Sequence, residues 1–482
     1  MDLTRPQPVW RSVAIVLAVW AAIYLPGLGT LEVKGEEGRR ILPAVTMLQT
    51  GNYVVPYVGS DPYFTKPPLV NWLVAGSFKA FGVRNEWAAR LPSALCVLAV
   101  ALAFVLIARG SLGAHGSLAG ALVWMTNFGI IEKGRLIEIE ALYASLTGLA
   151  FICWLSWWQE RRSSWLTWTV PWIFLGIGML AKGPLHLVFF YAIVVAVLFR
   201  ERELRALLRP AHFVGLTLML MIFAAWAIPS LRMMPVESVT ETWARQFSAR
   251  LDGHDFNLAG WLMNMPRALA YFLPCTILLG WAAVRRPAFG DERTARVTSG
   301  LALGIGISFV GVSVLPGALA RYTMPLIAPA AWLVALLLAT ERYRLSRLRW
   351  PKPVTLRLPV ALAFAAGITI AVYAFVVMPL RQQREKVRPL AHQINAALAA
   401  AEPLYAVDPD FQPALFYVRN PIVYLPRIHD VPPDARYLLV PPQHEPEAIA
   451  SALWQPRSAR PILRVTDYRG KEVILLELRA GN

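Results

Sequence analysis

The sequence predicts a mainly α-helical, polytopic membrane protein with a small C-terminal α/β domain outside the bilayer. Three observations predict it. Of 482 residues, 56% are hydrophobic and 16% charged, with mean hydropathy +0.47, against about a quarter charged in soluble chains. The apolar residues gather in runs close to the ~20 residues that one bilayer crossing requires. Beyond residue 380 the chain becomes Pro-rich and less apolar, with short strand-like runs.

The apolar runs fall near 12–28, 91–108, 115–131, 137–158, 165–181, 185–199, 211–229, 265–284, 298–315, 323–340 and 357–378, about eleven spans by length. The first, after Arg5 and Arg11, lacks a small-x-small cleavage site and reads as a retained span. Pro67 to Gly82 is short and interrupted by Asn71 and Lys79; it reads as a helix lying in the interface. With the N-terminus in the cytoplasm, nineteen Lys and Arg flank the spans on that side, against eight in the opposite short loops (Lys133, Arg135, Lys182, Arg232, Arg245, Arg250, Arg267 and Arg321). Cytoplasmic loops carry such an excess. An odd number of spans then puts the first long loop, 29–90, and the tail, 380–482, outside, which in a Gram-negative cell is the periplasm. The domains are therefore 1–379, within the membrane, and 380–482.

In the tail, LYAVD and RYLLV read as strands, and ILRVTD and EVILLEL as a hairpin around Tyr468–Gly470. A helical pattern over 384–400 completes an α/β domain. The net charge of +17 comes in short clusters between apolar runs, not in one stripe, so loop topology explains it and nucleic acid is not an expected partner. Cys96, Cys153 and Cys275 lie inside apolar runs without close pairs or metal-type spacing, which points away from a disulfide or zinc framework. No internal repeat is visible, which weakens a secondary-transporter reading.

Chemistry-bearing residues collect on the expected outer side. In GEEGRRILPAVTMLQTG, Ile41, Val45 and Leu48 share a helical face, so 36–50 reads as an amphipathic helix with Gly51 beyond its end and Pro43 as an internal blemish. Glu36 and Glu37 occupy its first turn, where a helix favours negative charge; a plain capping role is one reading of them. A second acidic pair, Glu138 and Glu140, opens the fourth span, where carboxylates are costly enough to suggest function. Two residues apart on a helix diverge by about 200°, so one of the two should face the bundle. Lys66, Lys182, Arg245 and Arg321 come to the same side; snorkelling alone would explain each of them, but Lys66 and Lys182 adjoin prolines that hold them rigidly.

The run EEGRRILPAVTMLQTGNYVVPYVGSDPYFTKPPLVNWL resembles the first-loop signature of the bacterial aminoarabinose transferases and related protein-mannosyltransferase-like (ArnT/PMT-like) GT-C glycosyltransferases. RNEWAARLPSALCVLAV, GMLAKGPLHLV and RYTMPLIAPAAWLV resemble further family blocks, and VRPLAHQINAAL with LYAVDPDFQPALFYVRNPIVYLP resembles the family's periplasmic domain. Thr65 and Leu42 replace family glutamates, and Glu36 replaces an aspartate; these departures bear on the acceptor more than on the reaction.

The resemblance implies a GT-C fold in the bacterial inner membrane, with site and tail periplasmic, and an inverting transfer from a polyprenyl-phosphate sugar to a lipid A-like glycolipid, glycan or protein. Glu36 is then the base that takes the acceptor's proton, with Glu140 sharing or orienting; Glu37, Arg39 and Glu138 support them. Lys66 matches the family lysine that contacts the lipid-linked phosphate. Lys66 and Lys182, with Arg245 and Arg321, would hold the departing monophosphate. Fixed cations could replace a metal there, so no metal is obligatory, although Glu138-Ile-Glu140 resembles a Mg²⁺-holding pair. Membrane lipids are the other expected partner, and a monomer is expected. A transporter or flippase of a lipid-linked or anionic substrate is the alternative; it requires binding groups at mid-depth. A membrane-anchored scaffold presenting its tail would leave the first-loop residues without a purpose.

Overall fold

The computed structural model describes residues 8–234, 241, 244, 257–285, 287, 289–339, 354–409 and 411–480. Arg245 lies outside them, as do Arg5, Arg250, Arg286 and the cations between 342 and 352 used for the orientation. The chain divides into two compact units: Met1–Leu28, Thr65–Val70 and Arg90–Ala374 in the first, and Gly29–Phe64, Asn71–Ala89 and Phe375–Asn482 in the second.

The helices are α1 (Val9–Tyr24), α2 (Gly38–Thr50), α3 (Leu69–Phe81), α4 (Glu86–Leu106), α5 (Arg109–Met125), α6 (Phe128–Gly134), α7 (Ile139–Gln159), α8 (Ser164–Lys182), α9 (Leu185–Arg200) and α10 (Pro210–Met233). They continue as α11 (Leu258–Leu262), α12 (Asn264–Tyr271), α13 (Cys275–Arg285), α14 (Glu292–Ser313), α15 (Ile327–Ala339) and α16 (Val354–Val372). Among the described residues, seven helical stretches are long and apolar enough to cross a membrane, and an eighth results if Leu258–Tyr271 and Cys275–Val284, bent by 90°, make one span. Each of the eleven expected positions holds a helix or this bent pair. The difference between eleven and eight comes mainly from short helices: α1 and α9 have 16 residues each, about 24 Å at 1.5 Å per residue, below the ~30 Å hydrocarbon core. At 13 residues α3 is shorter still.

Small residues let the spans of the first unit approach closely. A Cβ on Gly304 of α14 would stand 2.6 Å from the Ile193 backbone of α9, and one on Gly300 2.8 Å from that of Val197. Such contacts replace the hydrophobic drive that lipid does not provide. Trp124, Trp154, Trp168, Trp172 and Trp332 fill the interior, whereas Phe364 on α16 is 72% exposed and Ile277 on α13 65%, the apolar exterior that lipid solvates.

The second unit is built on a five-stranded sheet of β3 (Leu404–Val407), β4 (Ile422–Leu425), β5 (Tyr437–Val440), β6 (Arg457–Thr466) and β7 (Glu472–Ala480), after a two-stranded ribbon, β1 (Tyr57–Val58) and β2 (Asp61–Pro62), in the first loop. Its order is β4-β3-β5-β7-β6, parallel among the first three and antiparallel at the β5–β7 and β6–β7 pairs. The expected hairpin is present, closed by Asp467 N–H donating to Lys471 O at 2.8 Å. The expected helix shortens to Arg388–Ala397, α18 once the brief α17 (Met378–Gln382) is counted.

First loop and tail are joined residue by residue. The Glu32 carboxylate accepts the backbone N–H groups of Lys386, Val387 and Arg388 at 3.0, 2.8 and 3.0 Å, capping α18 from a position more than 350 residues earlier. The buried Glu86 pairs with Arg388 and accepts from Tyr417 Oη at 2.7 Å. Arg84 donates to the carbonyls of Phe416 and Val418.

Candidate active site

In the first unit, the start of α7, the end of α8 and the turn Ala320–Leu326 meet at an ionic cluster. Lys182 is the last residue of α8 because Gly183 follows at φ +98°, a conformation that side chains resist, and Pro184 cannot continue the helix. Lys182 Nζ donates to Glu140 Oε1 at 3.2 Å and stands 4.4 Å above the Tyr322 ring. Arg321 Nε is 3.0 Å from the same oxygen, yet off the N–H axis, so it has no hydrogen-bond acceptor among the described residues. The Glu140 side chain is only 9% exposed, whereas the Arg321 guanidinium remains 37% accessible.

Glu138 corrects the helical argument made from spacing. It is the N-cap of α7 in extended conformation (φ −124°, ψ 146°), so the 200° divergence of helical residues does not apply. Glu138 and Glu140 instead hydrogen-bond to each other, and Lys133 Nζ lies 3.2 Å from Glu138 and 3.2 Å from Glu132. Burial and the Glu140 carboxylate push the Glu138 carboxyl up to about 7, against the pull of Lys133. Lys133 and Tyr322, the latter beside Arg321 in RYTMP, carry chemistry that the sequence reading passed over; the acid-cation pair Glu132-Lys133 just before the fourth span was the available signal. Lys66 lies half-buried in the bend before Pro67 and Pro68.

A cavity of about 480 Å³ in the same unit is lined almost wholly by apolar side chains of α12, α13, α14 and α15, Leu269, Phe272, Phe309 and Leu333 among them. Tyr271, between the first two of these in sequence, hydrogen-bonds the Glu132 carboxylate.

In the second unit, Glu36 and Glu37 have separate roles. Glu37 is buried and accepts the Lys34 N–H at 3.3 Å, a cap for the turn Gly35–Glu37. Glu36, 49% exposed, pairs with Arg39 at 3.2 Å and with Arg40 at 3.9 Å. Arg40 is buried and donates to Tyr63 Oη at 2.7 Å. The α2 helix ends at Gly51 as expected, but its buried face is Ile41, Leu42, Ala44 and Met47, with Leu48 37% exposed. The face turns because α2 packs on the tail segment Pro413–Tyr417.

The residues do not suit a divalent cation at Glu138 and Glu140. Lys133, Lys182 and Arg321 already compensate both carboxylates, and a metal ion would add charge beside three cations.

Residues 65–228 match the family of dolichyl-phosphate-mannose-protein mannosyltransferases. An undecaprenyl phosphate-alpha-4-amino-4-deoxy-L-arabinose arabinosyl transferase of Pseudomonas savastanoi is 26% identical over 338 residues, 68% of this chain and 61% of that protein. ArnT from Cupriavidus metallidurans, solved bound to undecaprenyl phosphate, superposes with a TM-score of 0.67 at 20% identity, over 97% of each chain. The chain is thus similar in sequence to arabinosyl transferases and, over residues 65–228, to mannosyltransferases, and it shares the fold of ArnT. A Pseudomonas aeruginosa arabinosyl transferase is 27% identical over 62% of this chain and 54% of its own length. The matched region thus spans little more than half of the curated transferases, while the fold is shared along nearly the whole chain.

Proposed function

We propose that this ArnT/PMT-like chain is an inverting glycosyltransferase of the bacterial inner membrane, moving a sugar from a polyprenyl-phosphate donor to a glycolipid, glycan or protein at the periplasmic face. The observation that carries the reading is Arg321: a 37% accessible side chain beside Glu140 and Lys182, with a buried Nε–H that finds no acceptor among the described residues. A phosphate oxygen offers that acceptor, and charge-assisted bonds from Arg321, Lys182 and Lys66 stabilise the monophosphate as the C–O bond to the sugar breaks. The apolar groove among α12, α13, α14 and α15 suits an isoprenoid tail.

Glu140, committed to two cations, orients them. Glu36, exposed and held by one close ion pair, takes the proton of the acceptor hydroxyl as its oxygen attacks the anomeric carbon. A transporter would need charge at mid-span; Glu140 and Lys182 instead stand at the ends of α7 and α8.

The test is sugar transfer by the purified chain from a synthetic polyprenyl-phosphate sugar to lipid A-like, glycan and peptide acceptors. Glu36→Gln and Lys66→Ala should each abolish most of it; both variants transferring at the wild-type rate would sink the assignment. Mass spectrometry of envelope lipids and glycoproteins from a deletion strain identifies the acceptor.

A further inference from the structure

The geometry points to Phe411, from the C-terminal part of the chain, as the positioning residue for Glu36, an inference that rests on Glu36 being the base of the proposed transfer. Gly38 opens α2 directly after the Glu36-Glu37 pair. A Cβ on Gly38 would stand 2.7 and 2.8 Å from Cζ and Cε2 of Phe411, so the outer edge of the ring seats against the backbone of the helix's first turn. Only glycine leaves that notch open. The GEEGRR motif therefore contains a seat for an aromatic residue more than 370 positions later.

The ring is braced on two sides. The Arg39 guanidinium lies 5.2 Å from its centroid and that of Arg469 4.7 Å, both within cation–π range. Arg469 is itself fixed: its Nε donates to Asp467 Oδ2 at 2.6 Å, and it donates to the Phe411 carbonyl. Asp467 is buried and accepts the backbone N–H groups of Arg469 and Lys471 at 2.7 and 3.0 Å, which ties the whole arrangement to the β6–β7 turn. Arg39 is also the side chain that donates to Glu36 Oε1 at 3.2 Å.

A continuous path results, from the hairpin turn through Arg469 and Phe411 to Arg39 and Glu36. An exposed Glu-Arg pair three residues apart is weak alone and leaves both side chains many rotamers. With one face of Arg39 against the ring, the guanidinium keeps one direction, and Glu36 follows it. The tail then helps to aim the base, and Phe411 acts through Arg39 without touching the reacting atoms.

The test uses the full chain in nanodiscs with three variants. Phe411→Leu keeps apolar bulk and removes the π face, Phe411→Tyr restores the face, and Gly38→Ala displaces the ring without altering it. Expected for Phe411→Leu and Gly38→Ala is faster amide exchange over residues 35–42 with the sheet unchanged, and a kcat loss of about ten- to a hundredfold, the scale of a misplaced catalytic group, at constant donor KM. Phe411→Tyr should restore both, and Phe411→Leu should cost nothing further in a Glu36→Gln background. Unchanged exchange over 35–42, faster exchange with wild-type kcat, or equal losses in the Tyr variant would each overturn the proposal. A wild-type chain that transfers no sugar from any donor overturns the functional reading first, and this inference with it.

Discussion

Glu36 and Glu140 are both glutamates near a helix start, and their surroundings give them opposite capacities. Glu140 is 9% exposed and shares one oxygen between Lys182 and Arg321; Glu36 is 49% exposed and makes one close pair with a solvent-facing arginine. A buried carboxylate between two cations is committed to holding them, because releasing either leaves an uncompensated charge. An exposed carboxylate with a weak partner can exchange protons with an arriving hydroxyl. The difference teaches that acidic residues suspected from one chain are ranked by what surrounds them.

The comparison breaks most readily at Glu36. Glu36→Gln should lower sugar transfer by about 10²–10⁴-fold, the usual worth of a general base, while the unfolding free energy stays within about 0.5 kcal/mol of wild type, as for a surface change. A rate within twofold of wild type would remove Glu36 from the base role.

Glu140→Gln should act in the reverse way, destabilising the protein by roughly 3 kcal/mol, the low end of the cost of stripping a buried charge of its partner. Adding Lys182→Met should recover part of that loss, read as the thermal midpoint in detergent. Additive losses would mean that Lys182 and Glu140 do not depend on each other.

The pH dependence sharpens the picture next door. The Glu138 carboxyl, raised from 4.5 to about 7 by burial and by Glu140, binds a proton more tightly in the folded chain than in the unfolded one. Its contribution is complete below pH 4.5 and is lost as pH rises through about 7. Thermal midpoints measured from pH 4.5 to pH 8 should fall in the wild type and run flatter in Glu138→Gln.

Asn71→Ala should have the smallest effect. Asn71 is buried and donates to the Arg40 carbonyl at 2.8 Å, so its loss should cost about 1 kcal/mol, an ordinary buried hydrogen bond, and leave the Glu140 cluster untouched. The thermal midpoint and the salt dependence of transfer check the two halves of that statement.

Asn71 also shows how the sequence could mislead: in the pattern it is a polar interruption that weakens an apolar run, and in the fold it anchors α2, the helix that follows the Glu36 turn. Glu138 is a second case, since spacing on a regular helix separates it from Glu140 and its extended N-cap backbone brings the two together. The residue types and helix ends were legible in both places. The partners were not, because hydrogen bonds between distant segments leave no periodic trace.

What the sequence by itself determined is what near neighbours along the chain control. Hydropathy over ~20 residues set the helical positions, strand alternation set the β6–β7 hairpin, and Gly51 and Gly183 set where helices stop. Tertiary structure alone decided which charges meet: Lys182 and Arg321 on one oxygen of Glu140, Glu32 on the N-terminus of α18, and Phe411 on Gly38. The reason is physical: helix and strand propensity is a local free energy, whereas a buried ion pair or an aromatic seat exists only once packing has brought remote residues together and excluded the water between them.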